Sequence, residues 1–199
     1  MTGSGIAAVY VARVTAGEIG EVYPPERNLL IQKTKNEGLR RERYSVWMLL
    51  THALSDALSI DIRELDIKRT DGGKWVADGV YFSLSHTAEL ASVAVSDQPV
   101  GVDIEAVRAT LSGRFAERIL TDREANEYNS LPEADREEYI ILKWSGKEAL
   151  FKREELAAFI PHDYQPTNEN THSYKIVENG KTYILTVATD VAPRFVDLR

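Results

Sequence analysis

The stretch Val100-Gly101-Val102-Asp103-Ile104-Glu105 directly follows the turn-like Ser96-Asp97-Gln98-Pro99. Its β-branched residues alternate with other types, the pattern of a short strand leaving a turn. Side chains two apart on a strand share a face, so Asp103 and Glu105 point one way and Val102 and Ile104 the other. The valine and isoleucine mark a core face. Two acids side by side repel, and burying them unpaired is costly. Something must lie opposite them.

Outward from this strand the chain divides into two parts of similar plan. Upstream, the segment Ile6–Val14 (IAAVYVARV) reads as a first strand, and Pro25 can open a short helix. From Leu39 to Leu58, the residues Val46, Leu49, Leu50, Ala53, Leu54, Ala57 and Leu58 recur at three- and four-residue spacing, which predicts a long helix. Short strands are predicted around Leu65–Arg69, Tyr81–Leu84 and Leu90–Val95, with Asp71-Gly72-Gly73 as a turn or loop. Downstream, Thr121 and Glu124 have capping-box spacing, so a helix should start there. After Pro132 a longer helix is predicted from about Glu133 to Lys152. Glu178-Asn179-Gly180-Lys181 joins two strand-like segments, and Asn-Gly in that setting is a strong hairpin signal. The expected fold class is α+β, with two half-domains meeting near residue 100.

Bulk properties narrow the function. At 199 residues the chain can form one domain of good size or two small packed halves. Apolar residues make up 43% and charged residues 28%, ordinary for a soluble globular protein. The absence of cysteine excludes disulfides, thiolate zinc sites and cysteine nucleophiles, and favours the cytoplasm. A formal net charge of −7 argues against a general grip on nucleic acid. No apolar run approaches the length needed to cross a bilayer. The first fourteen residues lack a basic leader region and read as a strand rather than a signal peptide.

The predicted helix carries Trp144-Ser145-Gly146-Lys147-Glu148-Ala149-Leu150-Phe151-Lys152. Glu148 and Lys152 lie one turn apart, with Ser145 on the same side. Alone they would be a surface ion pair contributing about 0.3–0.5 kcal/mol. Joined to Asp103 and Glu105, Glu148 completes three hard oxygen ligands from two elements. Such a set suits Mg²⁺, which takes few carboxylates and keeps positions for water and a substrate phosphate. Lys152 could meet a phosphate oxygen. Ser83-Leu84-Ser85-His86-Thr87 closes a strand with hydroxyls and an imidazole, groups able to hold an anion, although in isolation it reads as an ordinary turn. His52, His162 and His172 share no metal-ligand spacing. Trp47 and Trp144 read as core anchors.

Taken in order, FSLSH, VGVDIE and WSGKEALFK resemble the motifs of the 4′-phosphopantetheinyl transferase superfamily: a Ser-His turn, Gly-x-Asp-x-Glu, then Trp-Ser/Thr-x-Lys-Glu-Ala/Ser-x-x-Lys. The motifs span residues 82 to 152, with 43 positions from Glu105 to Glu148. The length resembles the larger, pseudo-dimeric branch, in which one chain folds as two similar halves, each a long helix on a small, mostly antiparallel sheet. The resemblance thus implies half-domains 1–99 and 100–199 with the active site at their interface.

The activity it implies is transfer of the phosphopantetheine arm of coenzyme A to a serine of an acyl or peptidyl carrier protein, releasing 3′,5′-ADP. By the same resemblance Asp103, Glu105 and Glu148 hold Mg²⁺, Glu148 takes the serine proton, and Lys152 stabilises or protonates the departing phosphate. Ser85 and His86 would hold coenzyme A phosphates, Lys74 would lie beside the nucleotide, and Arg43 would meet the 3′-phosphate, with Arg40 as the competing choice. Lys147 belongs to the motif without a clear role. The stretch Arg114–Leu120 resembles the region that meets the carrier; it also reads as an amphipathic helix packed into the core. A cytoplasmic monomer without membrane contact is expected.

Two departures stand out. Trp75 follows the Gly-Lys element where the family commonly has proline, and no glycine occurs between Lys152 and Gly180. A degenerate relative that binds coenzyme A or a carrier protein without transfer is the alternative reading. A different Mg²⁺-dependent enzyme acting on a diphosphate is a third.

Overall fold

The computed structural model describes residues 5–108, 113–154 and 158–199. In chain order the elements are β1 (Ala7–Arg13), α1 (Pro25–Gln32), α2 (Glu37–Leu58), β2 (Ile67–Arg69), β3 (Trp75–Ala77), β4 (Tyr81–His86), β5 (Leu90–Ser96) and β6 (Gly101–Ala106). There follow α3 (Gly113–Ile119), α4 (Asp122–Ser130), α5 (Glu133–Glu154), β7 (Thr171–Glu178), β8 (Lys181–Ala188) and β9 (Arg194–Asp197). The strands form a four-stranded sheet in the order β4-β5-β1-β9, a three-stranded sheet β6-β8-β7, and the small β2-β3 pair. Within the two larger sheets all pairings are antiparallel except β1 with β9. The fold is α+β, and each larger sheet carries one 22-residue helix.

Strand alternation sets the layers. On β1, Ala8 and Tyr10 face α2 and pack with Trp47, Leu50 and Leu54, whereas Val9 and Val11 face the second sheet. On β8, Leu185 and Val187 join that inter-sheet core, while Ile184 and Ala188 turn to α5. The order through the molecule is therefore helix α2, first sheet, second sheet, helix α5. Val102 and Ile104 lie in the core between the sheets. Asp103 and Glu105 consequently face α5, which answers the question that the two adjacent acids pose.

Local capping and turn residues start the helices and close the hairpin. Asn36 caps α2 by accepting the Leu39 N–H at 2.9 Å. Thr121 and Glu124 make the reciprocal capping box of α4. Asn179 and Gly180 both adopt positive φ, 49° and 74°, as a two-residue hairpin of this twist requires.

Two strands were not expected. The Trp75–Ala77 strand is three residues long, too short for alternation to register. Arg194–Asp197 gains its strand character from distant β1, which it joins in parallel. The last strand therefore lies in the same sheet as the first.

Gly101 fixes how closely β6 approaches α5. A Cβ at this position would stand 1.9 Å from the carbonyl oxygen of Ala149 and 2.7 Å from the amide nitrogen of Arg153. Only a residue without a side chain lets the strand lie against the helix backbone here.

Candidate active site

Three elements converge at Asp103. From α5, Lys152 donates to Asp103 Oδ1 at 2.7 Å and to the Val102 carbonyl at 3.1 Å. From β4, the Ser85 hydroxyl donates to the same Oδ1 at 2.9 Å. Ser145, one turn before Glu148 on α5, donates to the Asp103 carbonyl at 3.3 Å. The Ser-His turn, the Gly-x-Asp-x-Glu strand and the Trp-Ser-x-Lys-Glu helix therefore form one site. Strand alternation and the helical repeat each place their acids on the facing side.

The neighbouring acids feel this crowding. Burial, then the charge of Asp103, holds the Glu105 carboxyl above the usual glutamate range, against the Trp144 indole N–H at 3.2 Å and the more distant Arg108 and Lys152. Glu148 is likewise raised, first by burial and then by Asp103 and Glu105, with Lys152 opposing. Asp103 Oδ2 is buried and, among the described residues, has no hydrogen-bond partner. An orphaned anionic oxygen beside two strained acids is chemistry that a hard cation relieves. No three acid or histidine groups among the described residues form a ready-made metal cluster. The fit to Mg²⁺ thus rests on the donor set and on that oxygen.

A carboxyl with a raised folded pKa holds its proton more tightly in the native state. Such a group costs stability as pH rises from its ordinary value, about 4.3, through the raised one. Glu105→Gln should therefore raise the melting temperature of the metal-free protein at pH 7 by about 1–3 °C. The gain should vanish below about pH 3, where the native and unfolded carboxyls are both protonated. Thermal melts at the two pH values check this; equal shifts at both would show that charge repulsion is not the cause.

The remaining residues border this centre on the α2 side. Lys74 donates from Nζ to the carbonyl of Lys152 at 3.1 Å. A cavity of about 220 Å³ lies between Lys74 and Lys152, lined also by Trp75, Phe82 and Ser83. His86 Nδ1 pairs with Glu42 at 2.8 Å, and burial holds the imidazole below its usual range although Glu42 pulls the other way. Arg43, next along α2, donates to Thr34 Oγ1 at 2.9 Å. Arg40 instead lines a groove with Gly17, Glu18 and Glu37.

Sequence reasoning missed Arg27. Its guanidinium lies over Trp47 at 4.7 Å and Trp75 at 5.9 Å and donates to the Arg43 carbonyl at 3.0 Å. Burial, then Arg43 and Arg69, pulls it down to about 10. Nothing local in Pro25-Glu26-Arg27 announces this, because both aromatic partners arrive from elsewhere in the chain. Trp75, flagged for replacing a proline, is one wall of that stack.

Lys147 is fully buried, with Nζ donating to Glu124 Oε2 at 2.7 Å and to the Ile119 carbonyl at 2.8 Å. One ammonium thus ties the end of α3 and the start of α4 to α5. A signal for it existed: Lys147 falls at helical spacing from Ile140, Trp144 and Phe151, inside the apolar stripe. The α3 stretch also packs inward: Ala116 and Ile119 are buried and Phe115 lies 5.4 Å from Trp144. The glycine-free run after Lys152 falls partly on residues 155–157, outside the described residues.

Residues 99–190 match the family model described as the 4′-phosphopantetheinyl transferase superfamily. Among curated relatives it is similar to 4′-phosphopantetheinyl transferase psf-1 of Bacillus pumilus, 30% identical over 108 residues, covering 53% of this chain and 46% of the relative. It is 32% identical over 83 residues to 4′-phosphopantetheinyl transferase HetI of Nostoc sp., covering 41% and 35% respectively. It is 27% identical over 104 residues to 4′-phosphopantetheinyl transferase ffp of Bacillus subtilis, covering 52% and 43%. The matched stretch spans less than half the length of each of these relatives. Among the described residues no helix is long and apolar enough to cross a membrane.

Proposed function

We propose that this protein transfers the 4′-phosphopantetheine arm of coenzyme A to a serine of an acyl or peptidyl carrier protein, with Mg²⁺, releasing 3′,5′-ADP. The observation that carries the reading is the meeting of all three motifs at Asp103, with Lys152 at 2.7 Å and an orphaned Oδ2 on the same carboxylate. The names of the similar transferases add support.

In this reading Asp103, Glu105 and Glu148 hold the metal. Bound Mg²⁺ would neutralise charge on the pyrophosphate and on the leaving group. Glu148, whose raised pKa suits a proton acceptor, takes the proton of the carrier serine. Lys152, already a triple donor at the seam of β4 and β6, stabilises or protonates the departing phosphate. Lys74, His86 and Arg43 hold the nucleotide end of coenzyme A. The enzyme would act as a cytoplasmic monomer built of half-domains 1–99 and 100–199 with the site between them.

The test is to incubate apo carrier proteins with the chain, coenzyme A and Mg²⁺ and to weigh the carriers by mass spectrometry. Gain of one phosphopantetheine supports transfer. Measurable coenzyme A binding with no gain on any carrier supports the degenerate relative instead. Release of ADP or phosphate without carrier supports a diphosphate hydrolase.

His86→Ala should raise the coenzyme A KM about tenfold while leaving kcat near the parent value. Loss of one charged hydrogen bond to bound substrate has that size, and a contact made equally in ground and transition states moves KM alone. Steady-state kinetics decide: an unchanged KM with a large fall in kcat would place His86 in the chemistry.

A further inference from the structure

We propose that Ser85 is a positioning residue for the metal-binding face, its hydroxyl fixing Asp103 so that Oδ2 stays free for a cation. This rests on the transferase reading above. It gives Ser85 a different task from the phosphate contact that the family resemblance implies.

The argument starts at two strand edges. β4 is an edge of the four-stranded sheet and β6 an edge of the three-stranded one. The two larger sheets meet here without a backbone ladder. Instead Ser83 Oγ accepts the Val102 N–H at 3.0 Å and Ser85 Oγ accepts the Ile104 N–H at 3.2 Å. Two serines of one strand stand in for carbonyls and satisfy buried amides of the other.

The serines then differ. Ser85 also donates its single proton to Asp103 Oδ1, 2.9 Å away, whereas Ser83 makes its contact to Val102. Lys152 donates to the same Oδ1 at 2.7 Å. One carboxylate oxygen therefore receives two donors from two separate elements, and the other, buried, receives none among the described residues. A free carboxylate exchanges its oxygens by turning about its last torsion, which is soft. Donors fixed on β4 and α5 prevent that turn. Because Ser85 is itself anchored by the Ile104 amide, the strand seam and the aspartate rotamer are set by one hydroxyl. Partners that orient metal-binding carboxylates typically change metal affinity by about 10- to 100-fold when removed.

The experiment is equilibrium binding of Mn²⁺ to the full chain without coenzyme A, read from the loss of the free-ion electron paramagnetic resonance signal. The chains compared are the parent, Ser83→Ala, Ser85→Ala and Ser85→Cys. Ser83→Ala removes the seam contact alone and should bind Mn²⁺ like the parent. Ser85→Ala should weaken binding about 10- to 100-fold. Ser85→Cys fills the same space with a weaker donor, should fall between, and carries the test if the alanine variant does not fold. Parent-like binding by the folded Ser85 variants would overturn the proposal, as would equal weakening by Ser83→Ala. A parent that binds no Mn²⁺ would overturn the metal reading itself, a result distinct from both.

Discussion

Gly101→Ala should lower the melting temperature by about 6–12 °C, or leave the protein insoluble. The added methyl would stand 1.9 Å from the Ala149 carbonyl oxygen and 2.7 Å from the Arg153 amide nitrogen. Both are backbone atoms of α5, so no rotamer change can make room. The strand or the helix must move. Overpacking of a tight contact costs about 1–3 kcal/mol and sometimes more, and at this chain length each kcal/mol lowers the melting temperature by about 2–4 °C. The clash lies two residues from Asp103 and one turn from Lys152 on the facing helix. Any relief that separates β6 from α5 should lengthen the Asp103–Lys152 ion pair as it lowers stability. Differential scanning calorimetry of the purified variant checks the first effect. A folded variant with the parent melting temperature would mean that β6 does not approach α5 this closely.

Lys147→Met should cost about 3–5 kcal/mol at neutral pH, the range for removing one partner of a buried ion pair. Glu124 would keep Thr121 and the more distant Lys143 at 3.6 Å but lose its closest cation. Burial pushes Glu124 up, yet Lys147, the Thr121 amide and Lys143 outweigh it and hold the carboxyl below its usual range. A carboxyl depressed in the folded state adds stability above its unfolded pKa of about 4.3, and that stability disappears as pH falls through the folded value. In the variant this contribution is gone, so its deficit should be full at pH 7 and shrink in acid. Pairing it with Glu124→Gln should recover part of the loss, since the two changes act on one contact. Urea unfolding of the single and double variants at two pH values measures both effects. A pH-independent deficit, unchanged by Glu124→Gln, would assign the loss to packing alone.

How legible each feature was follows from how local its cause is. The acids of VGVDIE could be assigned to one face because strand alternation needs no knowledge of a partner. The capping box at Thr121 and the turn at Asn179-Gly180 were readable for the same reason. Helix α2 declared itself through apolar spacing, and α5 through the proline that precedes it. By contrast, Arg27 acquires its character from Trp47 and Trp75, and Glu42, one residue of a charged cluster on α2, from His86 on β4. β9 is a strand only because β1 lies beside it. The site was read from motif order, but the division of labour between Ser83 and Ser85 depends on which atoms face β6. Alternation puts both serines on one face and cannot tell them apart.

The return of β9 to the first sheet has a consequence for how the chain folds as it is synthesised. Ala8 and Val9 pair with Arg194 and Phe195, and Arg194 also reaches Tyr10 and Asp56. A ribosome releases the strand β1 early, yet the segment that covers its outer edge emerges only after nearly all the other elements. Until then β1 presents an unpaired edge to other nascent chains. Closing so distant a contact is among the slower steps open to a small domain. The first half therefore waits on the second to complete its sheet, and chaperone demand during translation should concentrate on that interval.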